Sequence, residues 1–120
     1  LDQRKTINKL IDIKNSVSKA IEIINYSDVN ELGELLNNYW QIKRSLPNVS
    51  NEVIDQVYEK ARKNGAIGGK ILGAGNGGFM LLICKKGYLD NLRNSLKPFI
   101  TVPLEIENKG SHLLDFNNLN

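Results

Sequence analysis

A glycine-rich segment in the second half of the chain constrains the fold more than any other feature. Seven of the ten glycines lie between positions 65 and 78, and Lys70 is the only charged residue from position 65 to 84. Each glycine in a helix interior costs about 1 kcal/mol relative to alanine, so this segment is not helical. We predict a strand over Ala66–Leu72, a tight loop over residues 73–78, and a second strand over Phe79–Cys84 that is buried on both faces or nearly so.

Apolar residues spaced three and four apart predict three helices before this segment. Over residues 2–25 they form one stripe on a long helix, composed of Ile7, Leu10, Ile11, Val17, Ala20, Ile21 and Ile24. Asp28 and Glu31 have the spacing of a capping box, which predicts a second helix from about position 29. A third helix should begin after position 50 or 51 and end at the left-handed stop signal Asn64-Gly65.

The remainder of the chain predicts one short helix and two strands. Apolar residues at helical spacing from Tyr88 onward predict the helix, which ends before Pro98. Residues 104–107 and 110–114 indicate the strands. Helices followed by hairpin-forming strands predict an α+β domain, with helices packed on one face of an antiparallel, ferredoxin-like sheet. The length of 120 residues fits one domain over the whole chain.

Composition excludes several classes of protein. The single cysteine excludes a disulfide framework and a multi-cysteine metal site, which favours a reducing, cytoplasmic location. No apolar run approaches the roughly 20 residues that a bilayer requires, so no membrane partner is expected. Basic residues are not interleaved with aromatic ones, so no nucleic-acid partner is expected either. His112, the only histidine, is interpreted as a surface or structural residue, and no catalytic residue or metal ligand is assigned.

The loop over residues 73–78 does not match the common nucleotide motifs. Its Gly-x-Gly-x-x-Gly pattern would need a helix directly afterwards to bind a dinucleotide, and a strand is predicted there. A P-loop would need glycine at position 64 and serine or threonine at position 71, where the chain has Asn64 and Ile71. Two interpretations stay open, namely a tight hairpin without a ligand and a concave row of backbone N–H groups that binds an anion.

The surplus of glycine favours the anion site. A hairpin needs one or two residues that tolerate a left-handed backbone, and this loop has five in six positions. The candidate phosphate-proximal residues are therefore Gly73, Ala74, Gly75, Asn76, Gly77 and Gly78. Lys70 is a candidate phosphate contact, with a solvent-facing strand lysine as the ordinary alternative.

Residues 68–79, Gly-Gly-Lys-Ile-Leu-Gly-Ala-Gly-Asn-Gly-Gly-Phe, resemble the third, glycine-rich motif of the GHMP kinases. Other segments are similar to the branch that phosphorylates D-glycero-D-manno-heptose 7-phosphate, namely Leu32-Gly33-Glu34-Leu35-Leu36, Tyr39-Trp40, Lys43-Arg44-Ser45-Leu46, Ala66-Ile67 and Gly110-Ser111. The family usually has four consecutive glycines where this chain has Gly75-Asn76-Gly77-Gly78. Because asparagine tolerates left-handed backbone, we expect the loop shape to be kept.

The resemblance implies the C-terminal domain of an ATP-dependent sugar kinase. In that family a Pro-x-x-x-Gly-Leu-Gly-Ser-Ser loop and the catalytic aspartate lie in an N-terminal domain, which also binds most of the ATP and Mg²⁺. No such segment occurs in these 120 residues. We therefore expect the N-terminal kinase domain to be the partner, a sugar phosphate to be the substrate, and this fragment alone to be inactive. Association into a homo-oligomer is left open.

A stand-alone ferredoxin-like module that binds or senses a small anionic ligand is the alternative. The two hypotheses predict different surfaces. A kinase domain should expose an apolar patch where the N-terminal domain docks, whereas a complete module should have a polar surface throughout.

Overall fold

The computed structural model describes residues 2–26, 28–73 and 75–104. Its elements are α1 (Gln3–Tyr26), α2 (Val29–Arg44), α3 (Glu52–Lys63), β1 (Ala66–Leu72), β2 (Phe79–Cys84) and α4 (Leu89–Ser95). The two strands pair antiparallel, and α2 and α3 pack against β1. This arrangement confirms the predicted α+β domain of helices on an antiparallel sheet. The strands predicted at 104–107 and 110–114 lie outside the described residues, except for Leu104, and His112 lies outside them as well.

Local signals in the sequence set the ends of the helices. The Oδ1 atom of Asp28 accepts hydrogen bonds from the backbone N–H groups of Asn30 and Glu31 at 2.8 and 3.0 Å, which caps α2. The Oδ1 atom of Asn51 accepts from the N–H of Ile54 at 3.0 Å and caps α3. Gly65, which follows the C-cap residue Asn64 of α3, has a φ of +109°. The predicted starts of α2 and α3 and the predicted stop after α3 are confirmed.

Two glycines let α2 lie directly on β1. A Cβ atom on Gly68 would overlap the carbonyl oxygen of Gly33 and lie 2.9 Å from the backbone nitrogen of Asn37, both in α2. A Cβ atom on Gly33 would lie 2.6 Å from Cγ2 of Ile67 in β1. The helix and strand backbones are therefore in contact, with no room for a side chain on either glycine.

The core lies between α2, α3 and the sheet. Its larger cluster consists of Trp40, Ile54, Tyr58 and Ile71, and Trp40 and Tyr58 are fully buried. The Tyr58 hydroxyl donates a hydrogen bond to Oδ1 of Asn37 at 2.8 Å, and burial raises the pKa of this phenol. Cys84 packs against a second cluster beneath α4, where burial raises the pKa of its thiol, so it is a small apolar side chain rather than a reactive thiolate.

The apolar stripe predicted on α1 does not face this core. Six of its seven members, all except Ala20, are between 48% and 60% exposed. The face of α1 that is turned inward carries Thr6, Lys9, Ile13, Ser16, Ala20 and Ile23. Only Ile23 is fully buried on this helix. Neither α1 nor any other helix in the described residues is long and apolar enough to cross a membrane.

The burial of β2 also differs from the prediction. Phe79 is 75% exposed, and the other five residues of the strand are half-buried. In contrast, the first four residues of β1 are all buried. The reason is that α2 and α3 pack mainly on β1, whereas β2 has far less contact with the helices. The expectation that β2 is buried on both faces was therefore wrong for this part of the structure.

Candidate functional site

The glycine loop, defined here as residues 73–78, is the tip of the β1–β2 hairpin. Leu72 at the end of β1 pairs with Phe79 at the start of β2, so the six loop residues project beyond the last strand pair. Ala74 lies outside the described residues, and the other five are placed. The prediction of two strands joined by a tight glycine-rich turn is confirmed at its stated boundaries.

The loop backbone adopts a conformation that few side chains tolerate. The φ angles of Gly73, Gly75 and Gly78 are +96°, +102° and +103°, and that of Asn76 is +59°. L-residues rarely adopt positive φ, and asparagine is among the exceptions. The asparagine at position 76 therefore fits the local backbone, as the sequence predicted.

Asn76 ties the loop to the start of α3. Its backbone N–H donates to the carbonyl oxygen of Val49 at 2.9 Å. Its side-chain Oδ1 accepts a hydrogen bond from Nδ2 of Asn51 at 3.0 Å. Because Oδ1 of Asn51 caps α3 at the same time, one side-chain amide joins the loop to the helix N-terminus. The Asn76 side chain is thus occupied by a contact outside the loop.

Val49 gives this contact a rigid base. The Val49 side chain packs against the core cluster of Trp40, Ile54, Tyr58 and Ile71. A Cβ atom on Gly75 would lie 3.0 Å from the carbonyl oxygen of Val49 and 3.1 Å from its Cα. Position 75 therefore requires glycine for two reasons, namely its positive φ and this close approach of the Val49 backbone. The loop is held against the core instead of extending freely into solvent.

Four loop positions donate no backbone hydrogen bond within the described part of the chain. Among the described residues, the N–H groups of Gly73, Gly75, Gly77 and Gly78 have no hydrogen-bond acceptor. Gly77 has no positive φ, and a Cβ atom there would meet nothing within 4 Å. The packing of the described chain therefore gives no reason for glycine at position 77. A short row of open N–H groups suits an anion, since phosphate oxygens can approach them without meeting a Cβ atom.

Lys70 does not point at the loop. It lies in β1, three residues before Gly73, and its ammonium group sits 5.2 Å from the ring centroid of Tyr39 in α2. The side chain is half-buried and makes no hydrogen bond to a described loop residue. The structure therefore brings the loop residues together with the start of α3 and places Lys70 beside α2.

Sequence reasoning missed Val49 and Asn51 as supports of the loop. Asn51 was predicted only as one of two positions after which the third helix begins, and nothing in the sequence pairs it with a residue 25 positions later. Within residues 2–26, 28–73 and 75–104, no group of three or more histidine, cysteine, aspartate or glutamate side chains could hold a metal ion. The candidate site consists of backbone donors and a supporting amide.

The double role of Asn51 leads to a specific prediction. Asn51→Asp keeps a good N-cap oxygen but removes the Nδ2 donor, whereas Asn51→Ala removes both. We expect Asn51→Asp to raise the hydrogen-exchange rate of the Asn76 amide about fivefold, the loss of roughly one hydrogen bond, with little change in the stability of α3. Asn51→Ala should also lower the free energy of unfolding by about 1 kcal/mol. Equal exchange rates in wild type and Asn51→Asp would show that the side-chain contact does not hold the loop.

Comparison with known proteins identifies the family. The family model described as GHMP kinases C terminal matches residues 17–99 of this chain. A D-glycero-alpha-D-manno-heptose 7-phosphate kinase from Campylobacter jejuni is 32% identical over 98 residues, which cover 81% of this chain and 29% of the relative. A galactokinase from Thermotoga maritima is 29% identical over 94 residues, which cover 78% of this chain and 27% of the relative. A bifunctional fucokinase/GDP-fucose pyrophosphorylase from Arabidopsis thaliana is 32% identical over 81 residues, 67% of this chain and 7% of the relative.

The matched region agrees with the elements that form the site. It begins within α1, contains α2, α3, both strands and α4, and includes the whole glycine loop. The chain spans less than a third of the length of these relatives, all of which are named as sugar kinases or contain one. A family match over more than half of the chain, with a glycine loop of the expected position and backbone, leaves one assignment. The chain belongs to the GHMP kinase family, and residues 17–99 match the family's C-terminal domain.

Proposed function

We propose that this chain is the C-terminal domain of an ATP-dependent kinase acting on D-glycero-D-manno-heptose 7-phosphate. The anomeric hydroxyl would attack the γ-phosphorus of ATP, lose its proton, and yield a heptose 1,7-bisphosphate and ADP. Membership in the GHMP kinases supports the kinase class and the use of ATP. The choice of acceptor is supported by the relative named for that sugar phosphate, which matches 81% of the chain. With ATP and a sugar phosphate as substrates, the enzyme would work in the cytoplasm.

The observation that carries this proposal is the backbone of the glycine loop. Phosphoryl transfer depends on positioning and on donors aimed at developing negative charge. The open N–H groups of Gly75, Gly77 and Gly78 lie on a loop whose neighbour Asn76 is fixed to Val49 and Asn51. Donors held in this way can bind a phosphate group without reorganising during the reaction. The loop would position phosphate and perform no acid–base chemistry.

The described residues do not form a metal site by themselves. No group of three or more candidate ligands meets within residues 2–26, 28–73 and 75–104. Mg²⁺ and most of the ATP would be bound by the N-terminal domain that the resemblance implies, and no step on this chain is routed through the metal. The contribution of this chain is to close the phosphate region from one side.

The exposed stripe on α1 supports the docking of such an N-terminal domain. Its residues Ile7, Leu10, Ile11, Val17, Ile21 and Ile24 extend over about 25 Å of helix at 1.5 Å per residue. Monomeric proteins rarely expose a large contiguous apolar patch. Residues 3–16 of α1 also lie before the region that matches the C-terminal family model. We infer that this surface packs against the part of the kinase that precedes the domain.

Substitutions on α1 test this interface in the complete protein. Ile21→Glu places a charge in the stripe, whereas Asn15→Glu places the same charge on the polar side of α1. If the stripe is covered, Ile21→Glu should lower the free energy of unfolding by about 2 kcal/mol or more, since it removes apolar burial and buries a carboxylate. Asn15→Glu should stay within about 0.5 kcal/mol of wild type. Similar denaturation midpoints for both variants would place the docking surface elsewhere.

The function itself is tested with the complete protein that contains this chain. ADP release is measured with ATP, Mg²⁺ and one of three acceptors: D-glycero-D-manno-heptose 7-phosphate, the same heptose without phosphate, or galactose. We expect turnover with the heptose 7-phosphate and a much lower kcat/KM with the other two. Preference for galactose would replace the proposed acceptor while leaving the kinase class intact. The absence of ADP release with every sugar would contradict the proposal and favour a module that binds an anionic ligand.

A further inference from the structure

Two lysine side chains converge on one aromatic ring beside the sheet. The ammonium group of Lys43 lies 5.7 Å from the ring centroid of Tyr39, and that of Lys70 lies 5.2 Å from the same centroid. Lys43 is one helical turn after Tyr39 on α2, and Lys70 comes from β1. All three side chains are half-buried. We call these residues the two-lysine cluster.

The positive charge of the two-lysine cluster is not neutralised by the described residues. Neither ammonium group has an ion pair within residues 2–26, 28–73 and 75–104. The neighbouring Arg44, in contrast, lies 2.9 Å from Glu59 and 3.6 Å from Asp55. A cation–π contact with tyrosine contributes about 0.5–1 kcal/mol and leaves the full charge in place. Each ammonium group therefore keeps a charge that attracts an anion.

The position of the cluster favours a phosphate group other than those at the glycine loop. Lys70 precedes Gly73 by three residues, which separates their Cα atoms by about 10 Å along an extended strand. That distance is comparable to the length of a seven-carbon sugar. An acceptor whose reacting hydroxyl lies near the loop can therefore place a phosphate at its far end close to the two-lysine cluster. Compact ammonium groups suit such a dianion.

We propose that Lys43 and Lys70 bind the phosphate group carried by the acceptor sugar, with the Tyr39 ring holding both ammonium groups in place. This inference rests on the proposed function, since it requires an acceptor that is already phosphorylated. A phosphorylated heptose offers a group that such a site could bind, whereas galactose does not. Lys70 would thus contact the phosphate of the acceptor sugar. Its position next to the glycine loop in the sequence had instead suggested a phosphate bound at that loop.

The test uses the complete kinase with Lys43→Met, Lys70→Met and the double variant, since methionine keeps an unbranched chain against the Tyr39 ring. Each substitution should raise KM for the sugar phosphate about tenfold, the loss of one charge-assisted hydrogen bond, with kcat and KM for ATP unchanged. KM for the same sugar without its phosphate should not change. Lys60→Met, at an exposed position of α3, should leave every constant unchanged. Lys70→Arg keeps the charge and should recover most of the affinity.

Each other outcome overturns the inference. A rise in KM for ATP with an unchanged KM for the acceptor would assign the two-lysine cluster to the nucleotide. Unchanged constants in the double variant would make both residues ordinary surface lysines. A wild-type enzyme that phosphorylates no sugar phosphate refutes the proposed function before any variant is made. If the methionine variants lose activity and also melt at a lower temperature, while Lys70→Arg does neither, the two-lysine cluster has a structural role.

Discussion

The protein carrying Gly68→Ala should lose about 3 kcal/mol or more of its free energy of unfolding. The added Cβ atom would overlap the carbonyl oxygen of Gly33 and crowd the backbone nitrogen of Asn37. Both are backbone atoms of α2, so no rotamer change relieves the overlap. Overpacking in a core costs typically 1–3 kcal/mol, and a backbone collision belongs at the upper end of that range or beyond it.

Separation of the helix from the strand would not relieve this overlap cheaply. α2 carries Trp40, which is fully buried in the core cluster with Tyr58 and Ile71. Moving the helix outward would open a cavity beside these side chains, which carries its own cost. Chemical denaturation followed by the fluorescence of Trp40, the only tryptophan of this chain, measures the loss.

Gly77→Ala is the matched control for Gly68→Ala. Its Cβ atom would meet nothing within 4 Å, and its φ is not positive. The same chemical change should therefore be neutral or raise the stability by up to about 1 kcal/mol through the unfolded state. If both variants unfold at the same denaturant concentration as wild type, α2 and β1 do not touch at Gly68 in solution.

Gly75→Val should reduce kcat/KM for ATP at least about 100-fold in the complete kinase, the effect of displacing a phosphate-binding group by roughly 1 Å. Valine is strained at a φ of +102°. Its side chain would also collide with the backbone of Val49, which lies 3.0 Å from the Cβ position. The loop must then leave its contact with the start of α3, and the N–H groups of Gly75 and Gly77 move with it.

Gly87→Val is the control that separates the effect of backbone strain on stability from an effect on activity. Gly87 has a φ of +83° and no neighbour within 4 Å of its Cβ position, and it lies in the turn between β2 and α4. The backbone strain resembles that of Gly75→Val but lacks the collision with Val49, so a smaller loss of stability is expected with unchanged activity. If Gly75→Val keeps both turnover and ATP affinity, the loop is only a hairpin turn.

Gly77→Ala provides the finer test of phosphate approach. The described chain leaves room for a methyl group at this position. A variant that is as stable as wild type but less active therefore indicates that a ligand occupies the space beside Gly77. Retained activity would restrict the phosphate contact to the other open donors of the loop.

The sequence predicted the elements well because their signals are local. Asp28 and Asn51 cap the helices that follow them, and glycine density separates the two strands from the helices. Each signal acts within a few residues, where the chemistry of a cap or turn leaves few alternatives. The loop boundaries and the left-handed backbone of Asn76 were predictable for the same reason.

Contacts between distant residues were not predictable in this way. On α1 the more apolar stripe is exposed, and the face against the domain includes Thr6, Lys9 and Ser16. Periodicity identifies an apolar face but not the surface that covers it, and here two adjacent faces compete. The Asn51–Asn76 bond and the approach of Lys70 to Tyr39 join different elements, so they depend on how α2, α3 and the hairpin pack together.

The shared amide of Asn51 has a consequence for how the domain responds to ligand. The side-chain amide of Asn51 caps the first turn of α3 and also binds the side chain of Asn76. The first turn of the helix and the loop are therefore energetically linked. If phosphate binds the loop as proposed, its occupancy would restrict Asn76, and by reciprocity it would slow the opening of the helix start. Under the proposed function, the hydrogen exchange of the N-terminal turn of α3 would then report nucleotide binding, although none of its atoms need contact the phosphate.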